Sequence, residues 1–381
     1  MPDDDLDRRL RDSGTRLASR PLPPALRARL LAVPATTAAA PERTVRRGLE
    51  IGLALAVAGG LAAVLAVGFA RRHASPPPSA TPSHWHQALR VRVTGGPDGA
   101  LAAGGGTAWI TTRGHTRLFR VDAATRLATL LAVPTTDLQG GGLPSATSTV
   151  LATGGNIWVA TQNKLVEVDR GSGRIEGTVP VSGVGSAHAL VTDGTSLWAA
   201  SGDTGAVYRI DLASRGITAI IPVVPVVADP DRPNPSGLAL AGGLVWAAGE
   251  NGTAVVGIDP RSGRVVRDLL LPDPASDLAT AGGSLWVASQ QDGVVLRIDP
   301  ADGMVQATIR VTQPAVLAAA GGALWVASGT SMVRVDIGSN RVTDSVDVGA
   351  AVFAVAADGD TVWVASGPEP YVSRLVPTGG H

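Results

Sequence analysis

The side chains of this 381-residue chain that could do chemistry are polar residues in loop-like segments, and they form few constellations. Residues 229–234 (DPDRPN) alternate oxygen ligands as calcium loops do, but their prolines make a calcium wrap awkward. Residues 84–86 (HWH) offer two imidazoles without a carboxylate or thiolate neighbour, so a solvated linker is favoured over a metal site. With no cysteine, thiolate metal sites and cysteine nucleophiles are excluded. Phosphate-loop, zinc-protease, serine-hydrolase and EF-hand motifs are also absent, so no metal site and no cofactor are predicted.

The candidate ligand-binding residues lie in two kinds of loop. Some belong to two long insertions, residues 133–148 and 222–237, and most others follow tryptophan-bearing segments. Long loops on a rigid scaffold commonly carry binding residues, while neutral surface elaboration is the alternative. The predicted set is Asp137, Gln139, His188, Asp203, Asp229, Asp231, Arg232, Asn234, Glu250, Gln290, Asp292 and Glu369.

A repeated unit must position these loops. Seven of the eight tryptophans recur every 38–49 residues in one context, as in LWVAS (285–289). A Gly-Gly or Asp-Gly turn usually precedes the tryptophan, and a turn containing an aspartate comes after the third strand of each copy except the last. Four short strands at this period are typical of a β-propeller blade, whereas helical repeats need helix formers at helical spacing. One tryptophan ring per blade is predicted to fill the space between sheets and not to form a ligand cage.

Closure of the ring can also be predicted. The last copy stops after three strands, whereas residues 89–94 (LRVRVT) match the fourth strands of other copies and have no blade of their own. Pairing these two pieces would remove an exposed sheet edge. The predicted fold is therefore all-β: a seven-bladed β-propeller of four-stranded blades, closed by the N-terminal strand 89–94 and preceded by one transmembrane helix.

The transmembrane prediction rests on residues 49–70. Residues 51–70 carry no charge and no proline, and as a helix they would span the roughly 30 Å hydrocarbon layer. A cleaved signal peptide would lie at the extreme N-terminus and be shorter. Arginines are more frequent before the span than after it, which predicts a single-pass cell-membrane protein with a cytoplasmic N-terminus and an extracellular propeller. The predicted parts are a cytoplasmic segment (1–48), the span (49–70), a Pro/Ser-rich linker (71–88) and the propeller (89–377).

The phrase GGxLWVA followed by RIDPxxGxV, as in residues 282–305, resembles bacterial propellers related to virginiamycin B lyase, the YncE (YVTN) proteins and NHL repeats. The similarity covers about residues 89–376. Resemblance to the lyases implies His and Glu acting with a divalent metal, as a general base beside a cation that polarises the substrate. On this chain the candidate catalytic positions are Glu250 in WAAGE and His188 at the start of the third blade. No histidine lies in the loop of Glu250, which departs from the lyase pattern.

We expect a membrane-anchored, extracytoplasmic binding module at the cell surface that is not an enzyme. One alternative is a metal-assisted lyase or hydrolase, in which a divalent metal would be the only cofactor. Another is a transmembrane sensor that signals through residues 1–48. The expected partner is a protein or small-molecule ligand at the propeller channel. Nucleic acid is not expected, because the propeller is mildly acidic and has no basic stripe.

Overall fold

The computed structural model describes residues 84–94, 99–111, 117–131, 150–160, 164–181, 187–202, 204–223, 235, 237–249, 252–368 and 370–378. The chain divides into two units, residues 1–78 and 79–381, and every described residue belongs to the second. No helix in this described part is long and apolar enough to cross a membrane, and the predicted span 49–70 lies outside it.

The described residues form strands grouped in seven antiparallel four-stranded sheets, the blades. Strand β1 (Trp85–Arg92) precedes blade 1, which is β2 (Leu101–Gly104), β3 (Thr107–Thr111), β4 (Leu118–Asp122) and β5 (Leu127–Leu130). Blades 2 and 3 are β6 (Val150–Thr153), β7 (Asn156–Ala160), β8 (Lys164–Asp169), β9 (Ile175–Pro180), then β10 (Ala187–Thr192), β11 (Ser196–Ser201), β12 (Ala206–Asp211), β13 (Ile217–Pro222). Blades 4 and 5 are β14 (Gly237–Ala241), β15 (Leu244–Ala248), β16 (Ala254–Asp259), β17 (Arg264–Leu270), then β18 (Asp277–Ala281), β19 (Ser284–Ser289), β20 (Val294–Ile298), β21 (Val305–Arg310). Blades 6 and 7 are β22 (Pro314–Ala320), β23 (Ala323–Ser328), β24 (Ser331–Asp336), β25 (Arg341–Asp347), then β26 (Val352–Asp358), β27 (Thr361–Ser366), β28 (Tyr371–Pro377) and β1.

The blades close into a ring around a central channel. The first strand of each blade is the innermost, and it contacts the first strands of both neighbouring blades, including β26 against β2. Seven apolar clusters lie between successive blades, the last of them between blade 7 and blade 1. These contacts confirm the predicted all-β, seven-bladed architecture.

The predicted closing strand is confirmed and is longer than expected. Strand β1 pairs antiparallel with β28, with Arg92 opposite Tyr371 and Trp85 opposite Pro377. It therefore supplies the fourth strand of blade 7, which covers the edge of β28. The strand begins at Trp85, so residues 85–88, predicted to belong to the linker, lie in the sheet.

Trp85 is a correction to the sequence prediction, which treated it as part of a solvated linker. Its side chain is buried and meets the ring of Trp325 edge-on, with 4.7 Å between ring centroids and 75° between planes. Its histidine neighbours, His84 and His86, are exposed. The apolar ring therefore fixes the start of the closing strand while the imidazoles remain in solvent.

The seven repeated tryptophans form the core, as predicted. Each is at most 1% exposed, and each packs against the following blade in one of the seven clusters. Trp158 of blade 2, for example, packs against Leu190 and Leu197 of blade 3. Large rings fill the gap between two tilted sheets with few voids, which stabilises the contact between blades.

The turns behave as their residue types require. Gly242 and Gly243, between β14 and β15, both have positive φ, which a tight hairpin of the I′ type needs. Asp211, at the end of β12, accepts hydrogen bonds from the backbone N–H and hydroxyl of Ser214, at 2.8 and 2.7 Å. These bonds, led by the one from the hydroxyl, lower the pKa of Asp211. The turn aspartates thus have a structural role.

Candidate functional site

One end of the ring, here called the top, carries both kinds of loop predicted to bind ligands. Because neighbouring strands are antiparallel, the loops between second and third strands and the connections between blades lie at the same end. The innermost strands begin at this end. The opening of the channel at the top is here called its mouth.

The central channel encloses a cavity of about 470 Å³. Alanine, leucine and valine residues of all seven innermost strands line it together with two threonines, and nearly half of its exposed wall is polar. The hydroxyl of Thr280 in blade 5 donates to the carbonyl of Leu240 in blade 4 at 2.8 Å, so it is already satisfied. The lining residues are Leu101, Ala102, Ala103, Val150, Leu151, Ala152, Leu190, Val191, Thr192, Leu238, Ala239, Leu240, Ala279, Thr280, Leu317, Ala318, Ala319, Val355, Ala356 and Ala357.

Asp277 is the first residue of β18, at the top end of the innermost strand of blade 5, and it precedes the channel-lining residues Ala279 and Thr280 without lining the cavity itself. Its Oδ1 accepts from the backbone N–H of Leu278 at 2.8 Å, and its Oδ2 accepts from the N–H of Leu317 in blade 6 at 2.8 Å. The carboxyl group is enclosed, although the residue keeps a small exposed fraction. Burial raises the pKa of Asp277 to about 7, against the two backbone hydrogen bonds, which lower it.

A second cavity, the rim pocket, lies in the top loops of blade 5. It has a volume of about 380 Å³ and is lined by residues 290–293 and 310–313. Asp292 of this pocket forms a side-chain hydrogen bond with Asp273, which raises the pKa of Asp273. The proximity of the second carboxyl group therefore disfavours the ionised form of Asp273. The rim pocket also contains one cationic residue, Arg310.

The opposite end of the ring carries a smaller cavity of about 260 Å³ between blades 3 and 4. Asp193, the acidic residue of its lining, accepts hydrogen bonds within its own turn. Partial burial would raise the pKa of Asp193, but hydrogen bonds from Ser196, Thr195 and Trp198 lower it to about 2. Asp193 is thus a turn-forming residue, and we assign no binding role to it.

Two of the predicted binding residues, Gln290 and Asp292, are described, and the structure brings them together in the rim pocket. The backbone of His188 lies in β10, but its side chain is outside the described part of the structure. The remaining predicted residues also lie outside the described part: Asp137, Gln139, Asp203, Asp229, Asp231, Arg232, Asn234, Glu250 and Glu369. Within the described residues, no group of three or more His, Asp or Glu side chains is placed to hold a metal ion.

Sequence reasoning missed Asp277 and Asp273. A signal for Asp277 was present in the repeats, since it lies two residues before Ala279, the partner of Trp286 across the sheet. The residues at this position in the other blades are uncharged: Ala100, Thr149, Ala189, Gly237, Val316 and Ala354. An alignment of the seven copies would therefore have isolated one charged residue at the channel mouth.

Comparison with known proteins agrees on the fold. The chain is a seven-bladed β-propeller of the kind seen in virginiamycin B lyase structures. A catalytically inactive variant of virginiamycin B lyase from Staphylococcus aureus, solved with quinupristin, superposes with a TM-score of 0.62 at 16% identity, covering 77% of this chain and 99% of that one. A streptogramin B lyase structure gives a TM-score of 0.61 at 12% identity, covering 77% of this chain and 97% of the lyase.

Sequence comparison adds a narrower similarity. A repeat family of unknown function, DUF6923, matches residues 234–351, which correspond to blades 4 to 6. No curated protein is significantly similar to the chain. At 12–16% identity the lyase structures establish the fold, while the site must be argued from the residues of this chain.

Proposed function

We propose that this protein is a membrane-anchored, extracytoplasmic propeller that binds a small molecule or a protein segment at the top of its ring, and that it acts by binding and not by catalysis. The observation that carries this proposal is a central channel lined by uncharged side chains, with the carboxyl group of Asp277 hydrogen-bonded to the channel-lining Leu317 at its top end. Its volume of about 470 Å³ falls within the range of small-molecule sites, which is roughly 300–1,000 Å³. Such sites combine an apolar wall with a few polar groups that orient the ligand.

The position of the rim pocket also favours the top of the ring as the end that binds a ligand. Gln290 and Asp292 lie in a second cavity in the top loops, with Arg310 and Gln313 on its other side. A partner that enters the channel could therefore also make polar contacts on the rim. This division between an apolar centre and a polar border is common at protein interaction sites.

Binding in the channel can be tested by narrowing it. Ala319 and Ala357 line the channel at the position that Leu240 occupies in blade 4, one residue after the partner of the tryptophan. Because blade 4 accommodates leucine there, the double variant Ala319→Leu/Ala357→Leu is expected to fold and to fill the cavity. The control is Val305→Leu on an outer strand, where the wild-type side chain is 52% exposed.

The probe is 2-phenylethanol, and the measurement is a ligand-observed NMR titration of the purified full-length chain. We expect binding to the wild type and to Val305→Leu, and at least a tenfold weaker affinity for the double variant. Equal binding to all three proteins, or no binding to any, would contradict the proposal.

The proposed anchoring rests on the uncharged run at residues 51–70 and on the arginines before it. The absence of cysteine makes it directly testable. In intact cells, a membrane-impermeant maleimide should label Val305→Cys in the propeller and should label Ser13→Cys only after lysis. Labelling of both variants in intact cells, or of neither, would contradict the proposed orientation.

The metal-assisted lyase and the sensor signalling through residues 1–48 stay predictions from the sequence. The first depends on the side chains of His188 and Glu250, and the second on residues 1–48, all outside the described residues.

A further inference from the structure

We propose that the channel recognises an organic cation, with an ammonium group carried on an apolar body, and that Asp277 is the residue that binds the positive charge. This inference rests on the proposed binding function of the channel. It adds the chemical class of the ligand and the residue that selects it.

The position of the carboxyl group is the first argument. Leu278 pairs with Val287 of β19, yet its N–H donates to Asp277, so this N–H points away from the blade towards the channel. The N–H of Leu317, a channel-lining residue of blade 6, donates to the second carboxylate oxygen. The carboxylate therefore bridges the inner edges of two neighbouring blades, beside the channel-lining Leu317.

The fold does not require a carboxylate at this place. In the five other blades where the corresponding residue is described, it is alanine, glycine or valine, and the innermost strands of these blades also contact both neighbours. A residue that maintained the contact between innermost strands would be expected in several blades. Asp277 is particular to blade 5, which indicates a role beyond the repeated architecture.

The carboxylate also lacks a compensating charge. Among the described residues its partners are the two backbone N–H groups, and no arginine, lysine or histidine forms an ion pair with it. An ionised carboxylate enclosed by protein is unfavourable unless a cation accompanies it. Two hydrogen bonds leave part of its accepting capacity free, because a carboxylate offers about four lone-pair positions. A ligand ammonium would supply both the charge and the missing donors.

The surroundings favour a cation over an anion. The side chains that line the channel carry no charge, so the body of the ligand is expected to be uncharged. On the rim above, Asp273 and Asp292 add carboxyl groups, with Arg310 as the cationic residue of the rim pocket. Of these three described residues two are acidic, and the carboxylate of Asp277 itself would repel a ligand carboxylate.

The experiment compares three ligands that share an apolar body: 2-phenylethylammonium, 2-phenylethanol and 3-phenylpropanoate. Each is titrated into the purified full-length chain at pH 8 and followed by ligand-observed NMR. We expect the ammonium to bind about tenfold more tightly than the alcohol, and the carboxylate to bind most weakly.

Variants assign the preference to one residue. In Asp277→Asn the ammonium should lose its tenfold advantage, while the alcohol binds as to the wild type. The control Asp273→Asn removes a carboxyl group from the same end of the ring without changing the channel. This variant should still bind the ammonium about tenfold more tightly than the alcohol. Thermal unfolding establishes that both variants are folded.

A second measurement on the wild type does not depend on any variant. Because burial raises the pKa of Asp277, acidification from pH 8 to pH 5.5 should neutralise it and weaken ammonium binding at least tenfold. Among the described residues, this end also carries the carboxyl groups of Asp273, Asp292 and Asp347, and the same pH profile recorded for Asp273→Asn should be unchanged.

The possible outcomes distinguish the cation site at Asp277 from the more general proposal that the channel binds a ligand. If the alcohol binds but the ammonium has no advantage, or if the advantage survives in Asp277→Asn, the cation site is refuted and the channel remains a binding site. If none of the three ligands binds, both proposals fail. If the ammonium is preferred and the preference follows Asp277 and pH, both are supported.

Discussion

Replacing Trp85 by alanine would test how the ring is closed. Trp85 begins the closing strand β1, is 8% exposed, and meets Trp325 of blade 6 edge-on at 4.7 Å. It also lies beside Gly321 of blade 6: a Cβ added there would be 3.7 Å from the Trp85 ring, at van der Waals contact. The side chain therefore links the closing strand to the blade before the one it completes.

The magnitude follows from the burial. Trp→Ala substitutions in cores cost roughly 3–5 kcal/mol, and an aromatic pair contributes about 0.5–1.5 kcal/mol beyond its area. Because Trp85 lies at the end of its sheet, we expect the lower end, about 3 kcal/mol. For a domain of this size, that corresponds to a decrease in Tm of roughly 6–12 °C.

The assay is thermal unfolding followed by circular dichroism, with two comparison variants. Trp85→Phe keeps an aromatic ring in contact with Trp325 and should cost about 1 kcal/mol. His86→Ala, on the same strand but exposed, should change stability by less than about 0.5 kcal/mol. If Trp85→Ala melts within one degree of the wild type, Trp85 belongs to a solvated linker and this account of closure is wrong.

Three further predictions concern the fold around the site. Gly242→Ala should destabilise the protein by about 1 kcal/mol more than Gly243→Ala in urea unfolding, because both have positive φ but only at Gly242 would a Cβ meet a proline of the next blade, at 2.8 Å. Glu167→Gln should cost about 1 kcal/mol in the same assay, because it breaks an ion pair at 2.6 Å between the buried carboxylate of Glu167 and the partly exposed guanidinium of Arg215. Asp211→Asn should make the free energy of unfolding fall less steeply on acidification. The pKa of Asp211 is lowered in the folded state, so its carboxylate stabilises the fold above the unfolded-state pKa of about 4, and this stabilisation is lost as the pH falls.

Each of these has a clear contrary result. Equal losses at Gly242 and Gly243 would mean that the turn can shift away from its neighbour. An unchanged midpoint in Glu167→Gln would show that the ion pair is compensated by solvent. A pH profile of Asp211→Asn identical to that of the wild type would remove the turn aspartate from the acid response.

The repeated part of the fold could be predicted because its signals recur. Each tryptophan stands in the same local context, and the missing fourth strand at one end of the chain matches an orphan strand at the other. Trp85 was not recognised because it belongs to no copy and sits among proline, serine and histidine residues that are typical of a linker. Its burial depends on contact with Trp325, far away in sequence, which composition does not reveal.

The site was predictable only in outline. The loops that form the top could be named from the strand order, and Gln290 and Asp292 do lie together there. The channel was not foreseen as a cavity, because its alanines, leucines and valines have the pattern of ordinary buried strands. Asp277 was missed because an aspartate before a strand resembles a turn residue. Its role is visible only once Leu317 of the next blade is placed beside it.

The most direct test of the central claim is a crystal structure with 2-(4-bromophenyl)ethylammonium soaked in, measured at the bromine absorption edge. One anomalous peak is expected inside the channel, near Ala279 and Ala318, with the ammonium beside the carboxylate of Asp277. A bromine peak elsewhere with an empty channel, or a channel peak whose ammonium points away from Asp277, would contradict it.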